Sequence, residues 1–227
     1  MRRFAPLVAL LLAAALSTAC VPPPTGEVAE AAPPTPVESA RESVVRIRNV
    51  GACGVAIGTG FVIEGDRIVT NRHVVAGARR LEVETWDGQP VAVGDARQGV
   101  DTDLGIIELR PRSADDFEPL PFHEGRLEIG TRVSAIGYAE AGPAVTTTGQ
   151  YLDAPRGRPF EEPDRVLRYN TTVRHGNSGG PLLNQGGEVV GVVFAYEVAT
   201  GHGLAVPLSR LEDTLADRNA TTPISAC

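Results

Sequence analysis

TTVRHGNSGGPLL, residues 171–183, sets one serine, Ser178, among Gly176, Gly179 and Gly180 and closes the stretch with Pro181. So much backbone freedom around one hydroxyl has two readings. One is an ordinary turn, since glycine, serine and proline mark turns. The other is a backbone bent to aim the hydroxyl and its neighbouring N–H groups at one point. With Gly176 two residues before Ser178, the N–H groups of both can face the same way. Such a pair binds the negative oxygen that forms when a carbonyl is attacked. A phosphate-binding loop fits poorly, because no lysine follows and no helix starts at the glycines.

A serine hydroxyl is a weak nucleophile at neutral pH and needs a base. The chain contains no lysine, which excludes lysine-base and Schiff-base chemistry. Four histidines remain. His73, in RIVTNRHVVAG (67–77), follows a β-branched strand and is expected at its end, with a short helical turn after it. His123 lies in the Pro-rich PLPFHEG and is expected to be exposed. His175 belongs to the serine turn itself, too near in sequence for its ring to reach back. His202 sits between two glycines in a late turn, placed to line a pocket. An imidazole base also needs a partner that fixes its tautomer and stabilises the imidazolium. VDTDLGIIELR (100–110) supplies Asp103 just before the apolar run Leu104, Ile106, Ile107 and Leu109. Asp101, in the preceding turn, is the alternative and reads as a solvated, turn-forming acid. Taken alone, Asp103 is an ordinary acid at the start of a strand.

Around these residues the composition is poor in aromatics and rich in valine, glycine and proline. Short apolar runs recur with turn signals between them, from SVVRIRNV (43–50) and GVAIGTGFVIEG (54–65) to GEVVGVVFAYE (187–197) and HGLAVPLS (202–209). This pattern predicts an all-β barrel or sandwich, with a hairpin at Gly186-Gly187. One stretch is helical, PLSRLEDTLADRN (207–219), which opens on Pro207 and repeats leucine at 208, 211 and 215.

The first twenty residues, MRRFAPLVALLLAAALSTAC, read as an export signal: a basic start, an apolar run too short to span a bilayer comfortably, then small residues. Cleavage after residue 19 would free Cys20, and a cysteine after small residues resembles a bacterial lipobox. Lipidated Cys20 and simple secretion are the two outcomes. Residues 21–39 are Pro-rich, acidic and short of large apolar groups, so they read as a spacer of up to about 60 Å. The folded part is expected over 40–227. The net charge is −7, which disfavours a nucleic-acid partner, since that needs a basic face. Nothing in the motifs requires a metal or a cofactor. If Cys20 takes lipid, Cys53 and Cys227 remain as an even pair in an oxidising compartment. A bridge between them would close nearly the whole domain; two free thiols are the alternative.

TNRHVV (70–75), DTDLGIIEL (101–109) and GNSGGPLL (176–183), in that order, resemble the trypsin-like serine proteases of the chymotrypsin fold. The HtrA/DegP branch and, within it, the MarP-type periplasmic proteases of mycobacteria are nearest. GTGFVI (58–63) is also typical of the branch. The resemblance covers about residues 44–208. It implies two six-stranded antiparallel β-barrels, over about 40–125 and 126–206, with a C-terminal helix laid on them. It implies His73 as general base, Asp103 as its orienting acid and Ser178 as nucleophile, with Gly176 and Ser178 donating to the oxyanion. It implies protein or peptide substrates. A cysteine before GTGF paired with one at the C-terminus is a feature of the mycobacterial group and matches Cys53 and Cys227. Thr172 stands where trypsin's pocket carries an acid, so no strong preference for Lys or Arg is implied. Ala195 is expected on the pocket wall with His202 close by, and small or medium apolar residues are the expected preference. No peptide-binding PDZ domain like that of HtrA proteases is expected after residue 208. Oligomeric state is left open.

Overall fold

Alternation builds the first half of the molecule. In β1 (Val44–Gly51) Val45 and Ile47 are fully buried, while Arg46 and Arg48 alternate with them on the other face. That period of two is a strand with one face in a core. β1 pairs antiparallel with β2 (Gly54–Ile63), and the register sets Val45 opposite Gly60 and Ile47 opposite Gly58. The glycines make room for neighbours. A Cβ at Gly60 would come within 2.6 Å of Ile68 and 2.8 Å of Ile47, and one at Gly58 within 2.6 Å of Val74. A computed structural model of the chain describes residues 33–51, 54–153 and 166–224. Cys20, Cys53 and Cys227 lie outside them.

The sheet continues with β3 (Arg67–Thr70), β4 (Ala78–Glu84), β5 (Pro90–Val91), β6 (Val93–Gly99) and β7 (Gly105–Leu109), in the order β6-β7-β3-β2-β1-β4-β5. Its two ends, β5 and β6, are pieces of one run interrupted only at Ala92. The run over residues 90–99 therefore bends, pairing with β4 through β5 and with β7 through β6. Its interior holds Val45, Ile47, Val62, Ile68, Val74, Val83 and Ile107. A strand that the composition does not announce, β14 (Thr221–Pro223), adds to the outer edge of β6 and makes the sheet eight-stranded. Arg97 holds it, donating from Nη2 to Thr221 O at 2.6 Å and from Nε to Thr221 Oγ1 at 2.8 Å.

The second half is a closed barrel, β10-β13-β12-β11-β8-β9. It comprises β8 (Arg132–Gly137), β9 (Val145–Asp153), β10 (Leu167–Tyr169), β11 (Pro181–Leu183), β12 (Val189–Tyr196) and β13 (Gly203–Pro207). Val133, Ala135, Tyr169, Leu182, Val193 and Ala205 fill it. The C-terminal helix runs over Leu208–Ala216, starting as expected after Pro207 and ending one residue past the last leucine of the stripe, three residues short of the stretch 207–219. Leu208 and Leu211 are buried, and Leu215 packs beside them. Each such leucine contributes about 1.5–3 kcal/mol.

Two expectations are corrected. The spacer does not extend to residue 39. Pro36–Ser39 form a helical turn with a capping box between Thr35 and Glu38, and Ala40 is buried. Thr-Pro-x-x with glutamate at the third helical position is a start signal, and it outweighs the Pro-rich composition. His123 is not simply exposed. It lies in the connection between the halves, where its N–H donates to Val189 O at 3.0 Å and its Nδ1 lies 2.9 Å from Glu188 Oε2. Asn184 also donates to Glu188, at 2.6 Å. Asn184 first, and His123 second, hold the Glu188 carboxyl below its ordinary value of 4.5. The resulting stabilisation is present in full above about pH 4.5 and is lost as pH falls through the lowered folded value. Glu188→Gln is expected to flatten the fall of the denaturation midpoint below that pH, as read by urea titrations between about pH 3 and pH 6.

Candidate active site

β3 and β7 are neighbours, with Thr70 paired to Gly105. The residues just past β3 and just before β7 therefore meet at one end of the sheet. His73 sits there in the helical turn Arg72–Val75, and Asp103 faces it. Asp103 Oδ2 lies 2.7 Å from His73 Nδ1, and Oδ1 accepts the His73 backbone N–H at 3.0 Å. Asn71 Nδ2 donates to Asp103 O at 2.8 Å. One carboxylate thus grips both backbone and ring of the histidine, leaving Nε2 to take a proton. Asp101, the alternative, is exposed.

The serine turn packs against the same end of the sheet. A Cβ at Gly58 would meet Val74 from the histidine's turn and, at 3.1 Å, Ser178 O. Gly179 approaches the sheet so closely that an added Cβ would overlap Thr59 O and Thr70 Oγ1 and lie 3.1 Å from Asn71 N. Its φ of 86° is one that side chains rarely adopt.

Where the turn's backbone hydrogen bonds go can be followed residue by residue. Arg174 O accepts from Asn177 N at 3.1 Å, and His175 O from Glu140 N at 2.7 Å. Gly176 O accepts from Thr59 Oγ1 at 2.6 Å, Asn177 O from Gly180 N at 3.0 Å, and Ser178 O from Thr59 N at 2.8 Å. Every carbonyl from Arg174 to Ser178 is held. Among the described residues the N–H groups of Gly176 and Ser178 donate to no protein acceptor. Gly176 has φ 96°, with Tyr138 O where a Cβ would sit.

Ser178 Oγ donates to Phe194 O at 3.3 Å, and no hydrogen bond joins it to His73. Phe194 is free to accept because the β12–β13 register shifts between Val193 and Ala195, so its carbonyl is outside the ladder. Bulges of this kind re-aim groups beside sites.

The three expected pocket residues border this region. Tyr169 pairs with Gly203, which sets the segment from 170 to 177 and the turn end of the β12–β13 hairpin at one end of the barrel. Thr172 is exposed on that segment, and Ala195 is half-buried just past the bulge. His202 is half-buried, its Nδ1 enclosed without a partner among the described residues. Tyr169 beneath them is wholly buried, with its hydroxyl unpaired. Burial pushes that phenol far above its ordinary value. Tyr169→Phe removes an unsatisfied polar atom and is expected to leave the urea midpoint unchanged or raise stability by about 1 kcal/mol. A separate cavity of about 1060 Å³, walled by Phe122, Leu127, Tyr151, Leu167, Val190 and Glu212, contains none of His73, Asp103 and Ser178. No cluster able to hold a metal ion occurs among the described residues. Sequence reasoning missed Thr59, Glu140 and Phe194. Only Thr59 carried a signal, a polar residue between two glycines inside an apolar strand.

Residues 58–192 match the trypsin-like peptidase domain family. Serine protease Rv3671c of Mycobacterium tuberculosis is 32% identical over 200 residues, covering 83% of this chain and 49% of the relative. The Synechocystis protein HhoA is 35% identical over 173 residues, covering 70% and 43%. The chain spans about half the length of the curated relatives it matches. The crystal structure of the active form of the Rv3671c protease superposes with a TM-score of 0.73 at 30% identity, covering 84% of this chain and 87% of that one.

Proposed function

Because the chain belongs to the trypsin-like peptidase family, we infer that it is an exported serine endopeptidase that cleaves proteins through an acyl-serine intermediate. One observation carries the reading: an imidazole gripped by a carboxylate at 2.7 Å adjoins a serine turn with two unclaimed N–H groups. In the reaction Ser178 Oγ leaves Phe194 O and attacks the substrate carbonyl, while His73 Nε2 takes its proton. Asp103 stabilises the imidazolium, and the N–H groups of Gly176 and Ser178 hold the oxyanion. His73 then gives the proton to the departing amine. Water, activated by the same imidazole, hydrolyses the ester and restores the serine. A hydroxyl bond as long as 3.3 Å is weak, and hydrogen bonds in substrate-free sites commonly tighten only when substrate is bound.

On this reading residues 1–19 are an export signal, Cys20 takes lipid and the spacer holds the domain at the outer face of a membrane; simple secretion is the alternative. No helix among the described residues is long and apolar enough to cross one. An oxidising compartment suits a Cys53–Cys227 bridge. Processing or quality control of envelope proteins, under acid or oxidative stress, is the role this reading assigns. Thr172, Ala195 and His202 form the pocket, which favours small or medium apolar side chains.

Reaction with a fluorophosphonate probe tests the assignment. One equivalent is expected on Ser178, found by mass spectrometry of the labelled peptide. The bond from Ser178 to Phe194 favours a second reading, an idle protease fold that binds clients. Absence of label from the folded protein would end the first reading and leave the idle site that the second requires.

A further inference from the structure

Thr59 is absorbed by nothing in the mechanism, yet it is the most heavily bonded side chain around the serine turn. It is fully buried in β2, between the two glycines that make room for Val74 and Ile68. Those glycines face the interior of the first sheet, so the alternation of the strand turns Thr59 toward the second barrel. There its N–H donates to Ser178 O at 2.8 Å and its Oγ1 to Gly176 O at 2.6 Å. The same Oγ1 accepts the N–H of Tyr138 at 3.0 Å, and Thr59 O accepts from Thr70 Oγ1 at 2.6 Å. Its N–H, its carbonyl and its hydroxyl each have a partner, and the hydroxyl has two.

Each peptide plane carries the C=O of one residue and the N–H of the next. The plane that bears Gly176 N–H is fixed through His175 O, by Glu140 N–H. Glu140 and Ala141 have φ of 53° and 60°, in the left-handed region that costs energy for residues other than glycine. That segment needs an external hold. Tyr138, two residues before Glu140, is tied to the Thr59 hydroxyl, and the same hydroxyl is tied to Gly176. The plane that bears Ser178 N–H is fixed differently, by the backbone bond from Gly180 N to Asn177 O.

We propose that the Thr59 hydroxyl is a positioning group for the reaction, joining Gly176 to the Tyr138–Glu140 segment and so aiming the Gly176 N–H at the oxyanion. This rests on the protease reading above. It makes the first sheet responsible for an oxyanion donor that belongs to the barrel.

Thr59→Val keeps the shape and removes only the hydroxyl. It is expected to lower kcat by about 10- to 100-fold with little change in KM, less than outright loss of a donor, which costs about 10² to 10³. Thr59→Ser is expected to stay within about threefold of the parent protein, since it retains the two hydroxyl bonds. A peptide aldehyde, whose hemiacetal oxygen takes the oxyanion position, should lose affinity in parallel with kcat/KM. Affinity for the cleaved peptide should not change. A purely structural role would lower the unfolding midpoint and leave the ratio of those two affinities alone. If the valine variant does not fold, Thr59→Cys, with its weaker donor, replaces it with a smaller expected loss. A folded valine or cysteine variant with unaltered kcat and aldehyde affinity overturns the proposal. So does a serine variant as impaired as the valine one, because packing of the methyl group would then be the cause. Fluorophosphonate labelling of the parent protein keeps the two levels apart: without label the protease reading fails, whereas label with an unaffected Thr59→Val refutes this inference alone.

Discussion

Ser178→Ala is expected to reduce kcat/KM on a protein substrate by about 10⁴-fold or more, with no loss of fold. The size of the effect follows from the chemistry. Without Oγ there is no acyl intermediate, and the paired His73 and Asp103 can at best activate water held in the wrong place. The stability cost is small for a local reason. The hydroxyl makes one hydrogen bond, 3.3 Å long, to a carbonyl left over at a bulge. Removing a bond of that length from a half-buried site falls within about 0.5 kcal/mol. The hydrogen bonds that define the turn are made by its backbone carbonyls, not by the Ser178 side chain, and survive in alanine. Initial rates and urea midpoints measured on the same preparation check both halves. Cleavage within tenfold of the parent protein would end the assignment of Ser178 as nucleophile.

Gly176→Ala is expected to lower kcat by about 10² to 10³ while leaving KM nearly unchanged, the signature of a lost oxyanion donor. Gly176 has φ 96°, and an alanine Cβ there would overlap Tyr138 O and stand 3.3 Å from Glu140 N. Both obstacles are backbone, so neither can swing away as a side-chain tip would. The 175–176 peptide must rotate, and its N–H then leaves the direction of Ser178 N–H. A stability loss of about 1–3 kcal/mol should accompany the change. Gly88→Ala is the control. Gly88 also has a positive φ, 85°, but nothing lies within 4 Å of an added Cβ. It should cost stability and no activity. Equal kcat in the parent protein and Gly176→Ala would show that the Gly176 N–H does not serve the reaction.

Much of the fold was legible in the chain. Alternation in β1 and the short apolar runs bounded by turn residues that became β2, β8 and β12 need only local rules. Pro207 and the leucine stripe marked the C-terminal helix for the same kind of reason. The bend between β5 and β6 and the added β14 were not legible. A bend at Ala92 depends on which neighbours compete for each half of the run, and β14 is three residues stabilised by Arg97, which is 124 residues away. The pair His73 and Asp103 was within reach because one strand pairing, Thr70 with Gly105, brings them together. Thr59 was not, since its hydroxyl's partners lie 117 and 79 residues away.

By itself, the sequence determined the residue types on which the chemistry rests: a serine in a glycine turn, a histidine past a strand, an acid before one, and no lysine to compete. It also determined the strands, because alternation and turn residues act over a few positions. Only the tertiary structure decided that the Phe194 carbonyl lies free for the Ser178 hydroxyl, and that one threonine of the first sheet holds two carbonyls of the second barrel's turn. These depend on a bulge, on glycines thin enough to let two backbones meet, and on left-handed residues held in place by remote partners. Contacts of that kind are set by packing, which no short window of sequence contains.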